Sequence, residues 1–284
     1  MTRRSEVSAD RCCREARALG EKSTLLRWAD LSGAELLHAD FHCHAFLPHW
    51  HNSYMLATSI RGQERVRHEG EEHLVAPGSV LSFNPGELHD GEAANPRDGW
   101  HYRALYFSEQ LVTEALGKQL CPHPPAFKEA VQQNPRLGEI LLHLHSGLKQ
   151  AGTRLERESL LAEHLPPLFG QTTPRRESPA RRAMANVREL IDTEWRSPLS
   201  LDDLARLSGL SRFHLLRSFR KSFGLPPHAY QTQLRIHHAK EMLFGGMPAR
   251  EVALETGFYD QAHLTNTLRR YTGATPGRLH LTAQ

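Results

Sequence analysis

Hydrophobic and polar positions alternate over short, turn-bounded stretches in residues 24–107 of this 284-residue chain. An aromatic alternation runs from Trp100 to Phe107, and the segment RVRHEGEEHLV has the pattern of two strands around a tight turn at Glu69 and Gly70. Several short strands at this spacing predict a β-sandwich or a β-barrel.

The hydrophobic period changes to that of a helix after Ser108. Two segments, RLGEILLHLHSGLKQ and LERESLLAEHLPPLFG, place apolar side chains on one helical face. The leucines of this face are Leu137, Leu141, Leu144, Leu148, Leu155, Leu161 and Leu165. The pattern leaves two partners open for this face: the preceding barrel, or a second copy of the chain.

The segment GQTTPRRESPA is polar, has two prolines and lacks a hydrophobic anchor, which is typical of a linker. Everything after it predicts helix: a leading helix near Ala183–Glu194, then two similar units joined by a longer helix from about Pro227 to Leu243. We therefore predict a two-domain α+β protein, with an N-terminal β-barrel or jelly roll followed by helices and a C-terminal all-α domain. The predicted division is a mobile arm over 1–23, a β-rich domain over 24–170, a linker over 171–180 and a helical domain over 181–284.

The stretches SLDDLARLSGLSRFHLLRSFRKSFG and PAREVALETGFYDQAHLTNTLRRYTG carry one pattern twice. In the first, Ser200 can cap a short helix with Asp203 at the capping-box position, and Gly209 allows a turn with positive φ. Ser211 then caps a second helix that has a basic outer face. A short helix, a glycine turn and a second helix form a helix-turn-helix, whose second helix fits the major groove of DNA. The second stretch repeats the pattern with one extra residue in its turn.

The joining helix sets the distance between the two copies. About seventeen residues at 1.5 Å per residue make a helix of about 26 Å. Such a helix can hold two recognition helices roughly 34 Å apart, which is one turn of DNA. The tandem arrangement therefore predicts that one monomer reads two successive major-groove segments of double-stranded DNA.

The net charge also differs between the two predicted domains. Residues from Arg175 onward hold 17 Lys and Arg against 10 Asp and Glu, a net charge of +7, while the remainder holds 18 against 22, a net charge of −4. This asymmetry is expected when only the C-terminal domain meets a polyanion. The chain has no apolar run of membrane-spanning length, no signal-peptide pattern and no framework spacing among its four cysteines. We therefore expect a cytoplasmic protein without membrane contact.

From about Ala183 to Leu281 the chain resembles the DNA-binding domain of the AraC/XylS family of transcription regulators, and the ending GATPGRL after RRY is similar to that family's. The resemblance implies base contacts from early positions of each recognition helix and phosphate contacts from later ones. Arg217 would bond bidentately to guanine, and Phe213 would pack on a thymine methyl group. The implied DNA-binding residues are Ser211, Arg212, Phe213, Leu216, Arg217, Arg220, Lys221, Asp260, Gln261, Ala262, His263, Asn266, Arg269 and Arg270.

Several of these positions have alternatives. Leu216 and Ala262 are explained by packing as readily as by base contact, and His263 by packing or by a phosphate contact. Asn266 stands where an arginine is common in the family, so the second helix would read adenine or contribute less specificity. The residues expected at phosphates are Arg220, Lys221, Arg269 and Arg270.

The segment HAFLPHWHNSYMLATSIRGQ, together with APGSVLSFNPGELHDGE, resembles the cupin-type sensor domain that precedes the DNA-binding domain in many of these regulators. The resemblance implies an interior that binds a small-molecule effector between apolar walls with a few polar groups. The implied effector-binding residues are His49, Trp50, His51, Tyr54, His89, Trp100 and Tyr102. The alternative is that the aromatic residues among them are barrel core.

Metal-binding cupins hold an ion with a His-x-His pair, a glutamate soon after it and a later histidine. This chain has His49, His51 and His89 at the histidine positions but Met55 at the glutamate position, and Glu87 would be a substitute carboxylate. Three histidines alone can hold zinc. Because the sensor domains of this family usually bind organic effectors without metal, we expect no metal and no cofactor, with the three histidines as the alternative ligand set.

Together these features predict a transcription regulator that binds double-stranded DNA and is controlled by a small molecule. The family resemblance implies that it forms a homodimer, activates transcription and contacts RNA polymerase. In the resembled family, the helical segment after the barrel pairs two subunits. Two alternatives stay open: a metal-dependent cupin enzyme fused to a DNA-binding domain, and a DNA-binding adaptor whose N-terminal domain only dimerises. The sequence has no nucleophile elbow, phosphate loop or dinucleotide fingerprint, so we expect no enzymatic activity.

Overall fold

The chain forms two compact units, one from Met1 to Arg175 together with Gly277–Gln284, and one from Arg176 to Pro276. The first is built on β-sheets and the second is helical, which confirms the predicted two-domain α+β fold. Residues 1–20 of the arm predicted over 1–23, and residues 171 and 175–180 of the linker predicted over 171–180, lie outside the described residues. The structure, a computed structural model, describes residues 21–117, 124–170, 172–174 and 184–282.

Two sheets enclose the interior of the first unit. The described strands are β1 Lys22–Trp28, β2 Leu31–Phe41, β3 Ala45–His49, β4 Ser53–Gly62, β5 Glu64–His68, β6 Glu71–Val75, β7 Val80–Phe83, β8 His89–Ala93, β9 Trp100–Ser108, β10 Pro125–Phe127, β11 Val131–Gln132, β12 Thr172–Pro174 and β13 Leu279–Thr282. The larger sheet has the order β11-β7-β4-β9-β2-β1-β13, and the smaller has the order β3-β8-β5-β6. Phe83 of β7 stacks on His89 of β8 with ring centroids 3.8 Å apart, which places the two sheets face to face.

The hairpin predicted at Glu69 and Gly70 is present. β5 pairs with β6 in antiparallel register, and the two turn residues have φ angles of 52° and 87°. Positive φ at both central residues is the type I′ geometry, whose twist matches that of the flanking strands.

Three helices cover the outer face of the larger sheet: α1 Glu109–Leu116, α2 Pro135–Gln150 and α3 Arg154–Leu168. Each begins after a polar cap residue whose side chain accepts a hydrogen bond from a backbone N–H of the first turn. Thr153 and Glu156 complete this arrangement reciprocally at the start of α3. The helices and the sheet share one hydrophobic core.

The leucine face predicted on α2 and α3 belongs to this core. Leu141, Leu144 and Leu148 on α2 and Leu165 on α3 are fully buried, because this face packs on the sheet of the same chain. Of the two partners left open for this face, the structure shows the barrel of the same chain for these leucines, while homodimerisation stays a prediction. Leu155 is the exception, with 73% of its surface exposed.

The last described strand returns to the first unit. β13 pairs in parallel with β1, with Leu279 opposite Leu25 and Thr282 opposite Trp28. The Thr282 hydroxyl also donates to the carbonyl of Arg27 at 3.1 Å. The sequence-based division gave these residues to the helical domain, because the pattern of a four-residue strand does not reveal its pairing partner.

The second unit is an all-helical bundle, as predicted. Its described helices are α4 Ala185–Thr193, α5 Leu201–Ser208, α6 Arg212–Phe223, α7 Pro227–Phe244, α8 Ala249–Glu255 and α9 Gln261–Thr272. The capping box predicted at Ser200 and Asp203 starts α5, with both reciprocal hydrogen bonds formed. Within the described stretches, no helix is both long enough and apolar enough to cross a membrane.

Candidate nucleic-acid interface and effector site

The two helix-turn-helix units have the same backbone frame, by which we mean the same order of glycine turn, capped recognition helix and terminal glycine. Gly209 ends α5 with a φ of 65°, and Gly257 follows α8 with a φ of 72°. Ser211 caps α6 and Asp260 caps α9, and each side chain accepts a hydrogen bond from the backbone N–H three residues further on. α6 and α9, the recognition helices, each have 12 residues and end at a glycine in the left-handed conformation. The repeat found in the sequence is thus also a repeat of the turns and of the caps that begin and end the recognition helices.

Equivalent positions of the two recognition helices are buried. Leu215 and Phe219 on α6 correspond to Leu264 and Leu268 on α9, and all four side chains are fully buried. They lie four and eight residues after the cap in both helices, so both helices turn the same face inward. The remaining positions form the outward faces.

The predicted DNA-binding residues lie on these outward faces with one exception. Leu216 is half-buried, which favours its packing alternative, whereas Ala262 is exposed, so packing does not explain it. Phe213 leaves 79% of its surface exposed, which is unusual for an apolar ring that only packs in the fold. The exposed members of the set are Ser211, Arg212, Phe213, Arg217, Arg220, Lys221, Asp260, Gln261, Ala262, His263, Asn266, Arg269 and Arg270.

Arg212 and His263 are exposed, but their side chains also have partners inside their own unit. Arg212 donates to the carboxylate of Asp202 on α5 through Nε and through Nη2, the latter at 2.6 Å. The His263 ring lies edge-on to Phe258 at 5.2 Å, and its Nδ1 accepts from the backbone N–H of Tyr259 at 3.4 Å. Arg212 therefore links α6 to α5, whereas His263 links α9 to the turn that precedes it.

α7 contacts both helix-turn-helix units and so fixes their spacing. Its 18 residues span about 27 Å at 1.5 Å per residue. Tyr230 of α7 packs edge-on against Phe219 of α6, with centroids 5.5 Å apart. Arg235 of α7 donates to the carbonyl of Gly257 at 3.2 Å, in the turn of the second unit. The observed helix agrees with the length expected for a spacer between two recognition helices.

Three of the predicted effector-binding residues meet between the two sheets of the first unit. His49 ends β3, His51 follows it closely, and His89 begins β8 directly opposite His49 in the ladder. The ring centroids are 4.5 Å apart for His49 and His89, 4.8 Å for His49 and His51, and 5.0 Å for His51 and His89.

Burial keeps two of these rings neutral. The Nδ1 of His49 lies 2.7 Å from the carbonyl oxygen of Leu47, and the Nδ1 of His89 lies 2.9 Å from that of Glu87. A carbonyl only accepts hydrogen bonds, so each Nδ1 carries the proton. Burial lowers the pKa of His49 to about 4 and lowers the pKa of His89 well below its ordinary value, so both rings are uncharged at neutral pH.

A second predicted pair lies in the same interior. Trp100 and Tyr102 stack with ring centroids 4.6 Å apart. Phe46 joins this pair to the histidines, because its ring lies 6.0 Å from that of Trp100 and 5.4 Å from that of His49. Trp50 is half-buried and directly follows His49. The structure thus brings most of the predicted effector-binding set to one place.

Tyr54 does not belong to this interior. Its ring lies edge-on to Phe169 at 5.2 Å, and its hydroxyl donates to the carbonyl of Pro125 at 2.6 Å. It stands opposite Phe107 in the ladder between β4 and β9, on the face that the helices cover. The position contradicts the prediction of Tyr54 as an effector contact, because successive strand residues point to opposite faces.

Two interior residues escaped the sequence analysis. The Tyr106 ring lies 4.9 Å from that of His51. Glu64 is buried, and burial raises the pKa of its carboxyl group well above the ordinary value, which favours the protonated form that can donate a hydrogen bond. The alternation of side chains along a strand could have identified both residues. Tyr106 lies four residues after Tyr102 on β9, and Glu64 lies two residues before the buried Val66 on β5, so each points to the same face as that residue.

Comparison with known proteins agrees with this geometry. Residues 32–165 match the family described as the AraC-like ligand binding domain, and residues 204–280 match a helix-turn-helix domain. The uncharacterized HTH-type transcriptional regulator YbfI of Bacillus subtilis is 30% identical over 225 residues, which cover 77% of this chain and 81% of YbfI. The chain belongs to the AraC family of transcription regulators.

Other AraC-family relatives extend the comparison. The arabinose operon regulatory protein of Salmonella typhimurium is 24% identical over 233 residues, covering 78% of this chain and 82% of that protein. The solved structure of ToxT from Vibrio cholerae with a bound unsaturated fatty acid has a TM-score of 0.55 at 10% identity, covering 87% of this chain and 94% of ToxT, which shows a shared fold. This AraC-family chain is therefore a DNA-binding transcription regulator with a ligand-binding N-terminal domain, which confirms the predicted family and function.

Proposed function

We propose that this regulator activates transcription when a small molecule binds between the two sheets of its first unit, and that each chain reads two successive major-groove segments of double-stranded DNA. The equivalence of the two recognition helices, both in contact with α7, is the observation that supports this reading most directly.

The outward residues divide into base readers and phosphate contacts. Arg217, exposed on the early part of α6, suits a bidentate contact to guanine, and Phe213 suits a thymine methyl group. Asn266 occupies the position of Arg217 on α9 and suits adenine. The basic residues in the last turns of both helices suit phosphates, because their side chains lie one to two turns from the end that enters the groove.

The interior chemistry favours a polar effector. The neutral imidazoles of His49 and His89 offer Nε2 acceptors, because each Nδ1 N–H already donates to a backbone carbonyl. The buried carboxyl group of Glu64 adds a polar group, and the stacked ring pair of Trp100 and Tyr102 offers a flat apolar surface. ToxT was solved with an unsaturated fatty acid, and the arabinose operon regulator is named for a sugar operon. The number of polar groups here supports a compact hydroxylated or acidic molecule over a long acyl chain.

Effector binding would act on DNA only through different affinities for two arrangements of the chain. Homodimerisation and contact with RNA polymerase complete the proposal. Leu155, the exposed leucine of α3, is the residue of the predicted leucine face that is still available for self-association. We propose no enzymatic activity, since Met55 stands at the glutamate position of metal-dependent cupin enzymes.

The test uses the full-length protein. Thermal unfolding is followed against sugars, sugar acids, aromatic acids and fatty acids, because a ligand at a hundred times its dissociation constant adds about 2.7 kcal/mol of stability. The proposal predicts that one class raises the unfolding temperature and increases transcription in vitro from a promoter that carries a DNA site selected by the protein. A compound that stabilises the protein yet leaves transcription unchanged would contradict control by that ligand, and decreased transcription would contradict activation.

A further inference from the structure

The three interior histidines have the spacing of a metal site. One ring nitrogen from each of His49, His51 and His89 lies within 4.8 Å of the other two. A tetrahedral zinc ion with Zn–N distances of about 2.0–2.1 Å needs nitrogens about 3.3 Å apart. Ring rotations that move the nitrogen atoms by about an ångström would therefore bring them to the distances that an ion needs.

The ring nitrogens that would not bind the metal make the hydrogen bonds that are usual for metal-bound histidines. Metal-bound histidines usually donate their other ring N–H to a carbonyl or carboxylate, which fixes the tautomer and the orientation of the ring. His49 does so to Leu47 and His89 does so to Glu87, each through Nδ1. In both rings the Nε2 lone pair is left for another partner.

That lone pair is buried at His89. Its Nε2 has no hydrogen-bond partner among the described residues, although the residue is only 5% exposed. A buried polar atom without a partner is costly in a folded protein, typically by about 1–3 kcal/mol. A metal ion is a partner that this nitrogen can take without any change of fold.

Rings around the histidines restrict their orientation. Phe83 stacks on His89 at 3.8 Å, Phe46 lies 5.4 Å from His49, and Tyr106 lies 4.9 Å from His51. A packing role alone would be filled equally well by apolar rings, which carry no desolvation cost. Three adjacent imidazoles with two oriented tautomers point instead to ligation.

The nearby carboxylate of Glu87 is used elsewhere. It accepts from the backbone N–H of Asn84 at 2.9 Å and from the Asn84 side chain at 2.8 Å, and it lies 3.4 Å from Nε2 of His68. Glu87 therefore holds His89 through its backbone carbonyl and supplies no fourth ligand. An all-imidazole set with one open position suits a divalent first-row ion of the zinc type.

We propose that His49, His51 and His89 bind one divalent first-row transition ion, with zinc as the preferred metal, inside the sensor unit. This assignment replaces the expectation of a metal-free domain. It is independent of the identity of the organic effector, because the ligands and their carbonyl partners all belong to the protein.

The test is a titration of metal-free, full-length protein with Co²⁺ and with Zn²⁺. Co²⁺ reports tetrahedral nitrogen ligation through its visible absorption, and Zn²⁺ affinity follows from competition with a chelator of known affinity. The proposal predicts one ion per chain and a rise of the unfolding temperature by several degrees that the chelator reverses. Absence of the absorption band and of the thermal shift would overturn it.

Matched variants separate this site from scattered surface histidines, since the chain has 19. His89→Ala should weaken binding at least a hundredfold. His51→Gln, at a half-buried position, should weaken it at least tenfold. His143→Ala, at an exposed position on α2, is the control and should bind as the parent does. Unchanged binding in His51→Gln, or equal losses in all three variants, would contradict the assignment.

Discussion

The recognition helices α6 and α9 have the same frame but present different chemistry to DNA. The early outward residues are Arg212, Phe213 and Arg217 on α6 and Gln261, Ala262 and Asn266 on α9. The basic residues of the two helices are Arg212, Arg217, Arg220 and Lys221 on α6, and Arg269 and Arg270 on α9. Inward positions decide where each helix lies, and outward positions decide what it reads. The same unit can therefore be used twice with different sequence preference and different affinity for phosphates.

The largest expected effect tests the shared frame. Leu215→Ala and Leu264→Ala each remove a fully buried side chain at the same position of its helix, so each should cost about 2–5 kcal/mol. Hydrogen exchange of the amides in α6 and α9 measures both losses in the full chain. Phe213→Ala, at an exposed position, is the control and should change stability by less than about 0.5 kcal/mol. Clearly unequal costs for the two leucines would show that the frames are not equivalent.

The next largest effect tests whether the two recognition helices contact different bases. Arg217→Ala should cost about 1–3 kcal/mol in binding to DNA selected by the protein, and should relax preference at one base position. Asn266→Ala should cost less, because an amide contact involves no charge-assisted hydrogen bond. Binding of each variant to the selected and to random DNA gives the comparison. An equal loss on both DNAs would make Arg217 a phosphate contact.

A smaller effect concerns the first helices of the units. Ser200 caps α5 with a capping box, whereas the cap residue of α8 is Pro248, which has no side chain that can accept a hydrogen bond. Ser200→Ala should therefore cost about 1 kcal/mol of stability. Thermal unfolding measures the change. Ser208→Ala, which removes only a hydroxyl that donates to the carbonyl of Ala205 within the last turn of α5, is a matched control with a smaller expected effect. A silent Ser200→Ala would mean that tertiary packing alone holds α5.

The smallest effect concerns Arg212, which stands where α9 has Gln261. Its ion pair with Asp202 is exposed to solvent, and such pairs contribute at most about 1 kcal/mol. Arg212→Gln converts this position of α6 into that of α9, and it should change stability only within that limit. Affinity for the selected DNA is measured in parallel. A loss as large as that of Arg217→Ala would show that Arg212 reads a base as well.

Local signals predicted much of this molecule correctly. The Glu69-Gly70 turn, the glycine at 209, the cap at Ser200 and the repeat of the helical unit each depend on residues close together in the sequence. Periodicity also identified the leucines of α2 and α3 as one face. These features were predictable because propensity, capping and turn geometry act over a few residues.

The remaining features depend on partners that are distant in sequence. Periodicity shows that Leu141 and Leu144 share a face, but the sheet that covers that face is formed by other segments. In the same way, alternation assigns Tyr54 to one side of β4 without showing which side the helices cover. The pairing of β13 with β1 joins opposite ends of the chain. Such pairings need the folded topology, since no local rule selects them.

Hydroxyl-radical footprinting of the full-length protein on its selected DNA tests the central claim, that one chain reads two successive major-groove segments with two different helices. The account predicts two protected segments about 10 base pairs apart from centre to centre. Arg217→Ala should weaken protection of one segment, and Asn266→Ala should weaken protection of the other. A single protected segment, or loss of the same base pairs in both variants, would contradict the account.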